Sequence, residues 1–358
     1  MRRCRNRLAF LILLMPGLLL SAVPPALAQT PVFHRREIKV PDIPGYLTLK
    51  CDLHMHTVFS DGRVWPTVRV DEAWSEGLDA ISITDHLEYL PHKKDVSENF
   101  NRPYEIALPR AGELSLLLIK GVEVTKDMPT GHYNALFIDD AEKLNHQDYL
   151  KALRAADEQG AFIFWNHPGW KNSDEQGRAI WHGEQTAVYD SGLMHGIEVV
   201  NGRDYYPNGH RWAIEKKLTL LGTTDVHSPM AFDYRPGEIR PLTLVFATER
   251  SPAAIREALF DRRTAVLSEG SLYGERRFLE PLFAAAVEIL NPRVELKGRG
   301  GWAWLQVRNS SDIPFTLTAD GKAEGVEFLQ RLTLVPEATV LLRVSAAGNS
   351  LEVGTRAV

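Results

Sequence analysis

The feature that most constrains the fold is a series of short apolar runs, separated by polar or helical stretches. Eight of these runs are predicted to be buried strands: Leu47–Leu53, Ala80–Thr84, Leu116–Val124, Tyr133–Ile138, Ala161–Trp165, Ile197–Asn201, Leu218–Gly222 and Leu242–Phe246. Strands without polar alternation are typical of parallel sheets whose faces are covered by helices. Repeated strand–helix units of this kind predict an α/β fold, and their number indicates a barrel.

Helix start and stop signals lie between several of these runs. Pro66 is placed to open a helix that stops at Gly77, and Asn145 is placed to cap another helix. Ser251 followed by Pro252 combines an N-cap with proline at the first helical position. These signals support the alternation of strands and helices.

The pattern changes after about Leu279, where helical stretches become scarce. Short β-like runs, split by Asn, Gly, Pro and Ser, follow at Val287–Leu290, Trp302–Val307, Pro314–Thr318, Gln330–Val335 and Thr339–Val344. They predict a small antiparallel β appendage. The predicted domains are therefore a catalytic barrel over residues 29–278 and a β-rich appendage over residues 279–358.

Residues 1–28 have the pattern of a signal peptide. Four arginines precede an apolar run from Leu8 to Val23, and Ala26-Leu27-Ala28 gives the small-x-small cleavage pattern. The alternative is a membrane anchor, but the run is short for a span of about 20 residues and is interrupted by Pro16 and Gly17. We expect cleavage near Gln29 and a periplasmic or secreted protein.

The charge of the chain argues against a protein that binds nucleic acid polymers, and its cysteine content argues against a fold held by disulfides. The chain has 41 Lys and Arg against 46 Asp and Glu, so its net charge is −5, and cleavage would make it −9 by removing four arginines. An acidic chain is poorly suited to bind nucleic acid polymers through their backbone. Cys51 would be the only remaining thiol, so no internal disulfide is expected and stability must come from a packed core.

His54 and His56 are the first candidates for chemistry. Residues two apart on a strand point to the same face, so these imidazoles would project together while Leu53 and Met55 face the other way. That geometry suits one metal ion with two imidazole ligands. A pair of structural or surface histidines is the alternative interpretation of this motif taken alone.

Further residues of the same types lie close to the ends of the predicted strands. They are Asp61, His86, Glu123, His132, His167, Asp225 and His227, and together with the first pair they include six of the 12 histidines. Imidazole and carboxylate groups are the ligands that transition metals such as zinc prefer. Most of these residues follow the strand's carboxyl end, where barrels collect catalytic groups, so the set predicts a metal centre.

The order of these motifs resembles that of the PHP (polymerase and histidinol phosphatase) superfamily. The matching motifs are His54-x-His56, Thr84-Asp85-His86, Gly121-Val122-Glu123 with His132, His167-Pro168 and Asp225-x-His227. The resemblance covers about residues 48–268 and implies a distorted (β/α)7 barrel that hydrolyses phosphate esters. The signal segment, the runs 57–62 and 128–132 and the β-like tail further resemble a secreted phosphodiesterase branch.

The resemblance also implies two or three divalent transition-metal ions, which would be manganese, iron or zinc. One ion would take His54, His56, Glu123 and Asp225, a second would share Glu123 and take His132 and His167, and a third would take Asp61, His86 and His227. Glu123 is the natural bridge, because a carboxylate can give one oxygen to each ion. Asp61 stands where many members with three ions have a histidine.

The chemistry of phosphate esters accounts for such a ligand set. Two close metal ions offset the negative charge of the ester and lower the pKa of a bound water. We therefore expect in-line attack of a metal-bound hydroxide on a small phosphodiester. Arg203, just past a strand end, is the preferred cation for the phosphate oxygens, and His210 and Tyr205 are candidates for the proton donor.

Three alternatives stay open on the sequence alone. A phosphomonoesterase or nucleotidase of the same superfamily would use the same ligands. Metal-dependent amidohydrolases and lactonases also place His-x-His on a barrel strand but usually use a bridging carboxylated lysine. No lysine lies at a matching strand end, although Lys120 lies near Glu123. A secreted module that binds metal or polyanions without catalysis is the third alternative.

Overall fold

The computed structural model describes residues 34–298, 300–319, 325–347 and 351–354. The predicted signal peptide, residues 1–28, lies outside the described residues. The compact unit that carries the fold spans Arg35–Val358. Within the described residues, none of the helices has the length and apolar character needed to cross a membrane.

The main sheet contains all the strands that the sequence predicts for the barrel. Its strands are β1 Leu47–Asp52, β2 Ala80–Ile83, β3 Leu117–Thr125, β4 His132–Leu136, β5 Phe162–Trp165, β6 Gly196–Asn201, β7 Asp204–Tyr205, β8 Thr219–Thr223, β9 Leu242–Ala247, β10 Thr264–Ser268 and β11 Ser271–Gly274. They follow the order β11-β10-β9-β1-β2-β3-β4-β5-β6, and both β7 and β8 pair with β6. The sheet curls into a distorted barrel, which confirms the predicted fold class.

The strand directions differ from the expectation of a parallel sheet. β1, β2 and β3 are mutually parallel, as are β5, β6 and β8, but β4 is antiparallel to both of its neighbours. β9 is antiparallel to β1 and to β10. The link from β3 to β4 is too short for a helical crossover, and a short link joins antiparallel strands.

Helices connect several of these strands and extend beyond the barrel. They are α1 Pro66–Ser75, α2 Arg102–Glu113, α3 Tyr149–Asp157, α4 Gly183–Asp190, α5 Pro207–Glu215, α6 Met230–Asp233, α7 Pro252–Phe260 and α8 Arg276–Ala286, with a 3-10 helix at Ala141–Leu144. The Ser251 hydroxyl accepts a hydrogen bond from the Ala254 amide, so this predicted cap is confirmed.

The prediction that Asn145 caps a helix is wrong. α3 begins later, and the Asp148 carboxylate accepts hydrogen bonds from the Leu150 and Lys151 amides. Both side-chain types are good N-caps, but a carboxylate also gains from the positive end of the helix dipole.

The barrel interior is filled by apolar side chains from β1, β2, β3, β4, β5, β8 and β9. Ile255 and Leu259 of α7 belong to the same cluster. Cys51 lies in it as a free, fully buried thiol, and burial raises its pKa well above the usual value. The fold therefore rests on a packed core, as the lone thiol predicts.

The barrel closes at the carboxyl ends of its strands. The Asp225 amide donates to the His54 carbonyl at 2.9 Å, and the His56 amide donates to the Val226 carbonyl at 3.0 Å. These bonds join the segment after β1 to the segment after β8. Backbone hydrogen bonds therefore hold the His54-x-His56 motif beside the Asp225-x-His227 motif, although the two are far apart in the sequence.

The predicted β appendage is confirmed. Its strands are β12 Val287–Ile289, β13 Arg293–Leu296, β14 Trp302–Asn309, β15 Phe315–Thr318, β16 Val326–Phe328, β17 Arg331–Leu334, β18 Ala338–Ala346 and β19 Leu351–Gly354. Among the described residues their pairings are antiparallel, in one sheet of order β12-β14-β18-β16 and two separate strand pairs, β13-β19 and β15-β17. Because α8 spans the predicted boundary at 278/279, the domain limits stay a prediction.

Gly222 of β8 gives a test of barrel packing. A Cβ on this residue would lie 2.2 Å from Cγ1 of Val266, so there is no room for one. We expect Gly222→Ala to lower the free energy of unfolding by about 1–3 kcal/mol, the usual cost of overpacking a core. The measurement is urea unfolding followed by circular dichroism.

Gly112→Ala is the matched control, because nothing lies within 4 Å of the position its Cβ would take. Gly112 lies in helix α2, where alanine is the better helix former, so this variant should be neutral or slightly more stable. Equal midpoints for Gly222→Ala and the wild type would contradict the packing of β8 against β10.

Candidate metal centre

The predicted ligands all lie at the edge of the sheet where the barrel closes. His54, His56 and Asp61 follow β1, His86 follows β2, Glu123 lies in β3, His132 begins β4, His167 follows β5, and Asp225 and His227 follow β8. β4 runs in the opposite direction to β3, so its first residue lies at the same edge as the ends of the parallel strands. The strand directions therefore explain why a ligand at a strand start joins the others.

Four ligands converge at the centre of this edge. The Nε2 atoms of His54 and His56 lie 3.1 Å apart. Oδ1 of Asp225 is 3.1 Å from the first and 3.0 Å from the second. Oε2 of Glu123 is 3.4 Å and 3.3 Å from the same two atoms. The two imidazoles thus project together, as their spacing predicts.

The other oxygen of Glu123 faces a second set of ligands. Its Oε1 lies 2.8 Å from Nδ1 of His132. Nε2 of His167 is 3.7 Å from the same oxygen and 3.8 Å from Oδ2 of Asp225. The carboxylate of Glu123 therefore separates two groups of imidazoles, which is the arrangement that a bridging ligand requires.

Asp61 is the centre of a third group. Its Oδ1 lies 3.2 Å from Nε2 of His227, 3.5 Å from Nε2 of His86 and 3.9 Å from Nδ1 of His56. The rings of His56 and His227 stack with centroids 4.2 Å apart. His56 therefore lies between the central group and this one, which the sequence had not indicated.

The residues present fit metal ions. Three sets of donor atoms lie within 4.8 Å of one another, namely His54, His56 and Asp225; His56, Asp61, His86 and His227; and His86, Glu123 and His132. Oε2 of Glu123 is fully buried and accepts no hydrogen bond from the described residues, although imidazole nitrogens surround it. A buried anionic oxygen of this kind needs a cation as its partner.

The charges of the site point in the same direction. Burial alone would raise the pKa of Glu123, but the imidazoles of His86, His54 and His132 hold it well below the usual value. Burial opposes protonation of His54, yet the carboxylates of Asp225, Glu198 and Glu123 raise its pKa well above normal. The buried carboxylates of this centre therefore favour the binding of a positive charge beside them.

Glu198 lies against two predicted ligands and is not among the site residues predicted from the sequence. Its Oε1 lies 2.8 Å from Nδ1 of His54 and accepts a hydrogen bond from the Thr223 hydroxyl at 2.6 Å. Its Oε2 accepts from the His167 amide at 2.6 Å. Carboxylates in this position orient a ligating imidazole. In the sequence, Glu198 could have been noticed as an acidic residue inside the otherwise apolar run of β6.

Asp85 of the Thr-Asp-His motif supports a ligand instead of acting as one. Its carboxylate accepts hydrogen bonds from the Thr57 amide and hydroxyl, at 2.7 and 2.6 Å, and from the Ser60 hydroxyl at 2.6 Å. These bonds fix the turn after β1 that presents Asp61.

A buried guanidinium holds the two ligand segments together. Nε of Arg69 donates to the His56 carbonyl at 2.9 Å, Nη2 to the Val226 carbonyl at 3.0 Å and Nη1 to the Ser228 carbonyl at 2.8 Å. Val226 and Ser228 flank His227, so this one side chain of α1 positions the backbone at His56 and around His227, two ligands that are distant in the sequence.

Two of the ligands lie in strained backbone. His167 has φ 27° and Asp225 has φ 53°, a region that side-chain-bearing residues seldom adopt. Such residues persist only where the surroundings hold them and cluster at functional sites. Here the Asp225 amide is held by the His54 carbonyl and the His167 amide by the Glu198 carboxylate.

Arg203 lines a cleft of about 350 Å³ next to this centre. Asp225, His227 and Tyr234 line the same cleft. The guanidinium is already paired, since Nη1 lies 2.7 Å from Oε1 of Glu238 and 3.1 Å from Oε1 of Glu269. The structure thus places Arg203 beside the predicted ligands, with its charge shared between two carboxylates.

Tyr205 and His210 form a separate group. The Tyr205 hydroxyl lies 2.9 Å from Nδ1 of His210, and its ring stacks on Tyr273 at 4.6 Å. In the described part of the chain, neither residue makes a hydrogen bond, ion pair or ring contact with a predicted ligand. A role for them as proton donors stays a prediction.

The relationship of this chain to known proteins comes from solved structures. No family model and no curated protein matches the chain. A crystal structure from Bacteroides vulgatus, of a two-domain protein containing a predicted PHP-like metal-dependent phosphoesterase, matches with 42% identity and a TM-score of 0.82. The match covers 91% of this chain and 100% of that one. The chain belongs to the PHP-like metal-dependent phosphoesterase family.

Two other solved structures are more distant. PsfC from Pseudomonas syringae has 17% identity and a TM-score of 0.43 over 66% of this chain and 96% of its own. An amidohydrolase from Chromobacterium violaceum has 16% identity and a TM-score of 0.35 over 50% of this chain and 88% of its own. These similarities are too weak to add to the family assignment.

The family assignment agrees with the position of Lys120. Its Nζ donates to the Asp139 carbonyl at 2.5 Å, so it is not the bridging lysine that the amidohydrolase alternative requires. In this PHP-like protein the group that faces imidazoles on both sides is the carboxylate of Glu123.

Removal of the carboxylate behind His54 should weaken metal binding. We expect Glu198→Ala to lower the metal affinity by about 10–100-fold, the usual effect of losing a group that orients a ligating histidine. Glu198→Gln, which keeps an oxygen acceptor, should lose less. Metal affinity is measured by competition with a chromogenic chelator, with circular dichroism to check the fold.

Glu215→Ala is the control, because Glu215 is an exposed glutamate on α5. It should bind metal like the wild type. A folded Glu198→Ala variant with unchanged metal affinity would contradict the orienting role of Glu198.

Proposed function

We propose that the protein hydrolyses small phosphodiesters at the centre around Glu123. The observation that carries this proposal is the position of the ligands at the wall of an open cleft, together with membership of the family. Asp225 and His227 belong both to the predicted ligands and to the cleft lining. A phosphate group in the cleft would therefore lie beside the metal centre.

The residues that would hold the ions are the nine predicted ligands. When bound, two close metal ions would offset the charge of the ester and lower the pKa of water, so that a nucleophile is available near neutral pH. Glu123 would present one oxygen to each group of imidazoles, and Glu198 would fix the orientation of His54 through Nδ1.

The charge of the cleft favours a diester over a monoester. Arg203 is the cation of its lining, and two carboxylates, Glu238 and Glu269, already neutralise it. Asp233 also lines the cleft. A diester carries one negative charge, whereas a monoester carries close to two at neutral pH. A second anionic charge would meet these carboxylates with no further arginine or lysine in the cleft lining of the described residues.

We propose further that the substrate is a small molecule and that hydrolysis takes place outside the cytoplasm. The support for export is the arginine-rich start, the apolar run and the Ala26-Leu27-Ala28 pattern. The support for a small substrate is the acidic net charge, which disfavours binding of a nucleic acid polymer.

Kinetics on paired substrates test the diesterase proposal. We expect kcat/KM for bis(p-nitrophenyl) phosphate to exceed that for p-nitrophenyl phosphate by about tenfold, the effect of one unfavourable interaction of 1.4 kcal/mol. Arg203→Ala should lower kcat/KM for the diester by about 10–100-fold through loss of a charge-assisted hydrogen bond. Arg211→Ala, which removes an exposed arginine of α5, is the control and should be unchanged.

A higher kcat/KM for the monoester would refute the diesterase proposal and favour the phosphomonoesterase or nucleotidase alternative. Full activity of Arg203→Ala on the diester would remove Arg203 from the reaction while leaving the phosphoesterase assignment intact.

A further inference from the structure

A tryptophan lies directly against the second group of ligands. The ring centroid of Trp170 is 5.1 Å from that of His132 and 5.3 Å from that of His167. The side chain is nevertheless 44% exposed, unlike the fully buried Trp165 of β5. Its ring therefore touches the metal centre on one side and solvent on another.

The next residue adds a cation to this ring. Nζ of Lys171 lies 4.1 Å from the Trp170 ring centroid, and no carboxylate of the described residues forms an ion pair with it. The Lys171 backbone has φ 48°, an uncommon conformation for a residue with a side chain. Both residues are thus presented together by a strained turn that begins at His167.

The loop that carries them is built to hold its shape. The buried Asn172 side chain donates to the carbonyls of Pro168 and Ile180, at 2.9 Å each, and its Oδ1 lies 2.7 Å from Nε2 of His182. Tyr206 packs against Gly169, where a Cβ would come within 2.7 Å of its ring. A loop fixed at both ends presents its exposed tryptophan in one position.

We propose that Trp170 and Lys171 form a subsite for an aromatic substituent of the phosphate ester. An aromatic ring of the substrate would stack on the exposed part of Trp170, beside the ammonium of Lys171. Stacking on an aromatic side chain adds substantially to affinity. It tolerates different substituents, because every flat aromatic ring has a π-face. This proposal rests on the proposed function and narrows its substrates to aryl-type or nucleobase-bearing esters.

Binding of two phosphonates that differ in one ring tests the subsite without turnover. Phenylphosphonate and methylphosphonate have the same charged group and a carbon–phosphorus bond that a phosphoesterase does not cleave. Isothermal titration calorimetry on the full-length, metal-containing protein gives both dissociation constants. We expect phenylphosphonate to bind about tenfold more tightly, as one stacked ring supplies.

The variants separate stacking from packing. Trp170→Ala should abolish the preference for the phenyl compound, and Trp170→Phe should keep most of it. Lys171→Ala should leave the ratio of the two dissociation constants unchanged, because it removes charge and no ring. Trp302→Ala is the matched control: Trp302 is 54% exposed on β14 of the appendage, and its loss should change neither constant.

Two results would overturn the subsite. One is an equal affinity of the wild type for the two phosphonates, and the other is a preference for phenylphosphonate that survives in a folded Trp170→Ala variant. Turnover of bis(p-nitrophenyl) phosphate, measured in parallel, reports on the proposed function alone. Failure of the subsite and failure of the diesterase proposal are therefore distinguishable.

Discussion

The structure depends on a buried carboxylate that has more imidazole neighbours than it can satisfy by hydrogen bonds. Glu123 lies in the middle of the strand edge, with Oε1 toward His132 and Oε2 between His54 and His56. One of its oxygens is buried without a hydrogen bond. Burying a charge is costly unless it is paired, and the cluster of imidazoles around Glu123 has the composition of a metal-binding shell.

The rest of the barrel edge is arranged to hold this shell in place. Glu198 fixes the outer nitrogen of His54, Asp85 fixes the turn that presents Asp61, and Arg69 joins the backbone after β1 to the backbone around His227. Each supporting group is itself buried and comes from a different element. These contacts position the ligands through the protein itself, which limits the cost of ordering them.

The candidate ligands can be picked out from the sequence because most of them lie close to a strand end, where a polar residue interrupts an apolar run. The sequence predicts their supports poorly, because a residue such as Glu198 acts through contacts with strands distant in the chain. The antiparallel direction of β4 could have been predicted from the short link between β3 and β4. The use of Asp148 instead of Asn145 as the cap of α3 could not. Clefts and ion pairs, such as that of Arg203 with Glu238, need the fold.

The most direct test of this account is a crystal structure of the metal-containing protein with anomalous scattering data collected at the metal absorption edge. The account predicts a metal position on each side of Glu123, with one carboxylate oxygen about 2.0–2.2 Å from each ion. Metal ions bound at the edge without contact to Glu123, or a Glu123 carboxylate paired only with protein groups, would contradict it.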